Sequence, residues 1–483
     1  MKRELLLDNT LDMTRVAVIE DGTLVEFHAE RKDKAKQTES LFFGRVQAIK
    51  PSVCAAFVDI GLALNAFLPL QKDHSLRVGD FIIVQGEATQ SVLTKGLRVT
   101  DRVNLAGKWL VLVPGAKGVR ISKKIKDPAL REQLQRIGKE ICPSDCAVIV
   151  RTASSDMTMQ SMAEEAKTLY DLWLQILKKA AGMTRPGLLH ECPPLGLRVV
   201  RDMPLNALER VVTNDIALQN ALSEERNSGK IPAEAAIELF NEDEKQLLLF
   251  DAFGIETEIN KALKRRVWLP CGGYLVIDPC EAMTVIDVNS GKMTLGNDEE
   301  ETAFRINLEA AVEVARQLRL RDIGGIIVVD FIDMRSQEHR AALLQRMREA
   351  LSRDRMQTTV EGLTRLGLME LTRKRKNEEL RRVMRTSCTH CGGTGDMLSA
   401  DEIAMRTLRE LRRKALSGQR GPFIIRCSNV CMQALIKHKN PLDIPVYAIG
   451  TYGHYSESFS IEQLGIGCEP EQGSVALPER MDV

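Results

Sequence analysis

The chain has 483 residues, of which 44% are hydrophobic, 28% charged and 4% aromatic, and its 67 basic and 66 acidic residues leave a net charge of +1. That length exceeds one ordinary core, so several globular domains are expected, and the near-neutral balance excludes a globally basic nucleic-acid binder: any phosphate-binding groups must be clustered. No apolar run is long enough to span a membrane, and Leu5–Leu7, bounded by Glu4 and Asp8, is too short for a secretion signal. The eleven cysteines are therefore expected as reduced thiols of a cytoplasmic protein.

In chain order, Val16–Ile19 and Leu24–Phe27 flank a Glu20-Asp21-Gly22 turn, which predicts a hairpin. This first segment is too small to fold alone and is expected to pair with something later. From Leu41 to Val113 the pattern is all strand, with Phe43–Ile49, Ala55–Gly61, Ala66–Leu70 and Asp80–Gln85 separated by glycine turns, which predicts a small barrel. Its motif order resembles the OB-fold RNA-binding domain named after ribosomal protein S1. Residues 114–200 are mixed, with a helix over 163–181 presenting Leu169, Leu172, Trp173, Ile176 and Leu177. Pro186, Pro193 and Pro194 break the pattern after it. Residues 201–262 again mix strand and helix, and 263–384 alternate them as α/β. There a helix over 301–321 presents Phe304, Leu308, Ala311, Ala315 and Leu318, Gly324-Gly325 stops it, and Ile326–Val329 reads as a buried strand. Residues 399–483 form a last small α/β piece.

Two segments carry chemistry: Thr284–Gly291, reading TVIDVNSG, and Ile326–Met334, reading IIVVDFIDM. Each sets an aspartate, Asp287 or Asp330, in or at the end of an apolar strand, where an unpaired carboxylate is costly and calls for a partner such as a metal. A helix and a return strand fit between them, and adjacent strands would bring both carboxylates together. Magnesium takes few carboxylate oxygens and keeps waters, which leaves room for a phosphodiester and an attacking water. Asn289 leaves the same strand face as Asp287 and can orient it, while Asp333 stands in reserve past the strand. The bland alternative makes these aspartates caps or turn residues, and Asp278, before Pro279, is assigned to that class.

With EETAFRINLEAAVEVARQLRLRDIGGIIVVDFIDM and CTHCGGTG, these segments are similar to the catalytic core and zinc link of the ribonuclease E/G family, and the similarity runs from the barrel through the Cys-Gly knuckle before weakening after about residue 400. The resemblance implies a multidomain α/β fold. A nuclease-like catalytic subdomain (263–384) would join a discontinuous ribonuclease-H-like subdomain (1–36 and 201–262), with an inserted OB-fold S1-type barrel (37–107) and a small 5′-phosphate sensor domain (108–200). A zinc-link knuckle (385–398) and a small C-terminal domain (399–483) would follow. It further implies an endoribonuclease that cuts single-stranded A/U-rich RNA with a magnesium-activated water held by Asp287 and Asp330, with Asn289 in support. Preference for 5′-monophosphate ends and roles in RNA turnover and rRNA processing come with it. Lacking a long tail, the chain is expected nearer the ribonuclease G type. The alternative is a non-catalytic RNA-binding or ribosome-associated protein.

Further residues come with the resemblance. The segment ending Val150-Arg151-Thr152 matches the family's 5′-phosphate sensor, and Val111 and Gly107 would line the same pocket. Arginine suits this as a bidentate phosphate fork. Phe57, Phe67 and Lys95 match RNA-contacting positions, against the reading that both phenylalanines are barrel core. Two basic runs, around Lys117–Lys126 and Arg373–Lys376, fit a phosphate track or a solvated face. Cys388 and Cys391 offer two thiolates where structural zinc needs four ligands. The family's answer is a homodimer, or a dimer of dimers, sharing Zn2+. Closure by Cys427 and Cys431 within one chain, or an inert or redox pair, are the alternatives.

Overall fold

The computed structural model describes residues 2–31, 37–71, 74–87, 96–154, 158–204, 208–291, 299–375, 378–391, 393–451, 457–465 and 468–478. The chain divides into two units, Met1–Met384 and Arg385–Val483.

The N-terminal hairpin forms as its turn residues require. Strands β1 (Arg3–Asp8), β2 (Met13–Glu20) and β3 (Thr23–Arg31) pair antiparallel. Asp21 and Gly22 both adopt positive φ, 47° and 79°, as a twist-matched two-residue turn demands. The free edge of β1 takes a much later strand in parallel, β14 (Leu208–Thr213), which takes β15 (Ala236–Leu239). The hairpin thus completes its sheet with sequence far downstream.

Alternating apolar residues curl the next sheet. Strands β4 (Leu41–Lys50), β5 (Ala55–Asp59), β6 (Ala66–Pro69), β7 (Phe81–Gly86) and β8 (Val99–Thr100) lie in the order β6-β5-β4-β7-β8, and a bridge from Phe67 to Arg98 nearly closes them into a barrel. Its core holds Phe42, Val46, Ala56, Val58, Ala66, Leu68 and Val84. Strand β13 (Gly187–His190) adds to β4. The third sheet, β11-β12-β10-β9, comprises β9 (Leu105–Ala106), β10 (Leu110–Pro114), β11 (Gly118–Ile121) and β12 (Cys146–Val150). A long helix, Met159–Ala181, starts where Thr158 accepts from the Ser161 amide. It buries Met162, Glu165, Ala166, Leu169, Ile176 and Ala180, whereas Leu177, expected on that face, is exposed, because it sits about 100° round the helix from Ile176.

The fourth sheet runs β16-β17-β18-β19-β21-β20, comprising β16 (Arg266–Trp268), β17 (Tyr274–Pro279), β18 (Met283–Asn289), β19 (Gly325–Asp330), β20 (Thr358–Leu363) and β21 (Leu368–Arg373). Among the described residues its only parallel pair is β18–β19, with the helix Glu299–Leu320 between them in the chain. That helix and Gln337–Leu351 cover one face, where Ile277, Ile286, Val288, Ile327, Val329, Met369 and Leu371 are buried. The helix points Ala303, Ile306, Ala310, Val314 and Leu318 inward, while Phe304 and Leu308, expected on the buried stripe, lie at its margin. Asp278, assigned to a turn, lies within β17 and pairs with Arg265. On the other face every second residue is half-buried or exposed, including Asp287, Asn289, Ile326 and Asp330.

The second unit is a small α/β piece. Strands β22 (Phe423–Ser428), β23 (Val446–Thr451), β24 (Ser460–Gln463) and β25 (Val475–Ala476), ordered β24-β22-β23-β25, pack with helices Ala400–Leu416 and Asn429–Leu435. Cys427 and Cys431 belong to that core.

Candidate active site

The parallel pairing of β18 and β19 sets Asp287 directly opposite Asp330. Paired residues share a sheet face, so the two carboxylates stand side by side on the face the helices leave uncovered. Asn289, two residues along, donates from Nδ2 to Asp287 Oδ2 at 2.7 Å and fixes its orientation. Burial, then the negative charges of Asp287 and Asp333, pushes the Asp330 carboxyl up. Among the described residues no cation is ion-paired with Asp287, Asp330 or Asp333. Oxygen ligands of like charge held together in this way fit a divalent cation, which would relieve their repulsion.

Two supports lay outside the sequence reading. Asn307, fully buried in the helix Glu299–Leu320, donates from Nδ2 to the Ile332 carbonyl (2.8 Å) and accepts from the Ile332 amide (3.1 Å). It clamps the chain just past Asp330. An asparagine inside an apolar helix stripe was the available signal. Gly291, with φ of 63°, ends β18 so close to Gly272 that a Cβ would lie 2.3 Å from its carbonyl oxygen. Only glycine fits there.

A second site lies in the third sheet. Arg151, at the end of β12, donates from Nη1 to the Gly107 carbonyl (2.5 Å) and from Nη2 to Asp202 Oδ1 (2.6 Å). Arg151 and Thr152 line a cavity of about 620 Å³, with Lys123, Arg198, Arg201 and Arg355. Gly107 is thereby tied to Arg151, whereas Val111 sits in mid-strand on β10. Glu165 was also missed. Its buried carboxylate accepts from the amides of Lys108, Trp109 and Leu110 at 2.6–2.9 Å, and a Cβ on Gly107 would lie 2.5 Å from it. Burial, then the nearby Arg151 cation, pushes Lys108 down to about 7, and its Nζ donates to the carbonyls of Val200 and Met203.

Other expected residues divide. Phe57 and Phe67 pair across β5 and β6 with ring centroids 6.0 Å apart, half-buried and outside the barrel core, because they alternate with Ala56, Val58, Ala66 and Leu68. Lys50 Nζ lies 5.5 Å from the Phe57 ring. Lys95 and Lys376 lie outside the described residues. Three members of the basic runs are structural: Lys124 donates to the Asp354 and Arg355 carbonyls, Arg375 donates to the Gly324 carbonyl, and buried Arg373 pairs with Asp322 and Asp354. Cys388 is exposed and Cys391 half-buried, in a loop turned by Gly393 and Gly395 at φ of 94° and 86°. The amides of Gly395 and Gly393 draw the Cys391 thiol down. Burial pushes Cys427 up to about 12, so it is a core thiol. No three of His, Cys, Asp and Glu form a metal cluster among the described residues.

The sequence profile of the ribonuclease E/G family matches residues 104–376. Ribonuclease G of Escherichia coli (strain K12) is 35% identical over 456 residues, covering 90% of this chain and 92% of that protein. Ribonuclease G of Haemophilus influenzae is 32% identical over 458 residues, with the same coverage. Ribonuclease E of Escherichia coli (strain K12) is 33% identical over 436 residues, 86% of this chain but 41% of that longer protein. No helix among the described residues is long and apolar enough to cross a membrane. With the family profile spanning more than half of the chain and ribonuclease G relatives aligned along nearly all of it, the chain belongs to the ribonuclease E/G family.

Proposed function

We propose that this endoribonuclease hydrolyses single-stranded, A/U-rich RNA at the Asp287/Asp330 pair, leaving a 5′-phosphate and a 3′-hydroxyl, in RNA turnover and rRNA processing in the cytoplasm. The observation that carries the reading is the register pair itself: two carboxylates and a supporting amide on an uncovered sheet face, where a polymer can lie. Asp287 and Asp330 would hold Mg2+, and Asn289 steadies the Asp287 carboxylate through its hydrogen bond to Oδ2. When bound, the ion supplies Lewis-acid stabilisation to the charge building on the phosphodiester. Asn307 holds the backbone after Asp330, so that the pair stays in place while RNA docks.

In the same reading, Arg151, Thr152, Gly107 and Val111 recognise a 5′-monophosphate. Asp202 holds the Arg151 fork in position meanwhile. Phe57, Phe67 and Lys95 contact bases, and the placement of the two half-buried rings outside the barrel core supports this part. Cys388 and Cys391, with the same pair of a second copy, would complete a tetrathiolate Zn2+ site and a homodimer, or a dimer of dimers.

The test is cleavage of a 5′-monophosphorylated, fluorescent A/U-rich RNA with magnesium, by wild type and by Asp287→Asn and Asp330→Asn. Each variant is expected to lose about 100-fold or more in rate, the scale of removing one electrostatic stabiliser. Wild type that binds the RNA without cutting it would return the chain to an RNA-binding role. Variants that cut as well as wild type would mean the wrong carboxylates.

A further inference from the structure

The face that carries the carboxylates does not end at Asp287. Strand pairing extends the row Asp330–Asp287 to Val276 and Arg266, and the neighbouring row runs Asn289–Tyr274–Trp268. Paired residues, and every second residue along a strand, share a face. Trp268, Tyr274 and Arg266 therefore stand on the same face as Asp287 and Asp330. At roughly 4.8 Å per strand, Trp268 is about 10 Å from the line of Asn289.

Neither ring serves the core. Trp268 is 56% exposed, and neither Trp268 nor Tyr274 belongs to the cluster under the sheet, whereas their neighbours Val267 and Leu275 do. An indole stabilises a fold by burial, so one left in water needs another explanation. The rings lie 5.2 Å apart, tilted by 60°, and the Arg266 guanidinium sits over both, 4.4 Å from the Tyr274 centroid and 5.8 Å from that of Trp268. A cation laid on an open aromatic pair can meet a phosphate while the rings meet a base. In a chain with only three tryptophans and 4% aromatics, such a pair beside the carboxylates is not background.

We infer that Trp268 and Tyr274, with Arg266, form a stacking subsite for an unpaired RNA base flanking the phosphate held at Asp287 and Asp330. The inference rests on the reading of those two residues as the cutting site. Stacking on a ring tolerates any base, so the subsite positions single strands and excludes paired ones without reading sequence.

The experiment is a titration of wild type, Trp268→Phe and Trp268→Ala with a short fluorescein-labelled single-stranded RNA in magnesium-free buffer. Anisotropy gives Kd, and an unlabelled copy of the RNA is used to follow tryptophan emission. Trp109 is buried and Trp173 is half-buried against the core of the third sheet, so RNA is expected to quench mainly the exposed Trp268 in wild type, and Trp268→Phe should remove that quench while keeping Kd within a few-fold. Trp268→Ala should weaken binding by about 5- to 150-fold, the worth of one stacked base. Moving a single abasic nucleotide along the RNA should find one position where wild type and Trp268→Ala bind alike. Equal Kd for wild type and Trp268→Ala, with quenching unchanged in Trp268→Phe, overturns the subsite. Because the readout is binding, a Trp268-dependent quench in a protein that never cuts would sink the proposed chemistry and leave the subsite standing. Normal cutting with no effect of Trp268→Ala would sink the subsite alone. The side chain is exposed, so circular dichroism melting of both variants is expected to match wild type.

Discussion

At the scale of single residues, the guanidinium of Arg151 illustrates how one side chain is held ready. Its two terminal nitrogens are fixed by the Gly107 carbonyl and by Asp202, so in the proposed sensor it would meet a 5′-phosphate without first losing rotamer freedom. Charge-assisted hydrogen bonds contribute about 1.5–3 kcal/mol each, so Arg151→Ala is expected to lose roughly 10- to 100-fold of preference for 5′-monophosphate over 5′-hydroxyl RNA. Cleavage of the 5′-hydroxyl substrate should stay as it was, and competition between the two RNAs in one tube measures the ratio. Gly107→Ala should produce the same loss by another route, since the added methyl displaces the Glu165 carboxylate from three amides. It should also lower the melting temperature. Equal melting of Gly107→Ala and wild type would contradict this account of the loop.

At the scale of elements, the parallel pair β18–β19 makes the site and the helix between them trims it. Asn307 replaces hydrogen bonds that the backbone of Ile332 no longer finds once the strand ends. Asn307→Ala leaves that buried backbone unsatisfied, at about 1–3 kcal/mol, and lets Asp330 shift. The expected result is a kcat lower by about 10- to 100-fold with little change in KM, because the loss is of positioning and not of RNA contacts. A variant with wild-type kcat would show that the clamp is dispensable.

At the scale of the molecule, charges tie the early hairpin to the elements of the sheet that carries Asp287 and Asp330. Arg319, in the helix Glu299–Leu320, donates to Glu26 (2.9 Å) and Glu20 (3.0 Å), and Arg355 reaches Glu26 as well. Burial disfavours the Glu26 anion, but Arg355, His28 and Arg319 outweigh it and hold its carboxyl well below the usual range, and Glu20 is lowered as well. A depressed carboxylate contributes stability that is complete above the unfolded value of about 4.3 and lost as pH falls through the folded value. Denaturant unfolding at stepped pH should therefore show stability falling below about pH 4, with a shallower fall in Glu26→Gln. Above about pH 4 that variant should be destabilised by about 3–5 kcal/mol, having left Arg319 and Arg355 short of a partner, and the gap should close as acid protonates Glu26 in wild type. The proposed zinc-linked homodimer predicts that Cys388→Ser or a zinc chelator converts dimer to monomers by light scattering, whereas Cys427→Ser leaves the mass unchanged.

Much of this protein was written in local pattern. Turn chemistry at Asp21-Gly22, alternation in the barrel strands, and aspartates set in apolar strands were all legible, because each depends on a few neighbouring residues. Asp287, Asn289 and Asp330 were legible as a set for the same reason, since the chain between them is one helix and one return strand. The sequence could not assign Phe57 and Phe67 to core or surface, because that depends on which way each strand's pleat faces. It left Arg373 and Lys124 open between a phosphate track and a solvated face, and only the fold buried one against Asp322 and Asp354 and turned the other onto backbone carbonyls. Glu165 and Asp202 were silent, and Asn307 showed only as a polar residue in an apolar stripe, for a common reason: their partners lie far away in the chain, and such a polar group declares its role only when the group it satisfies has been brought beside it.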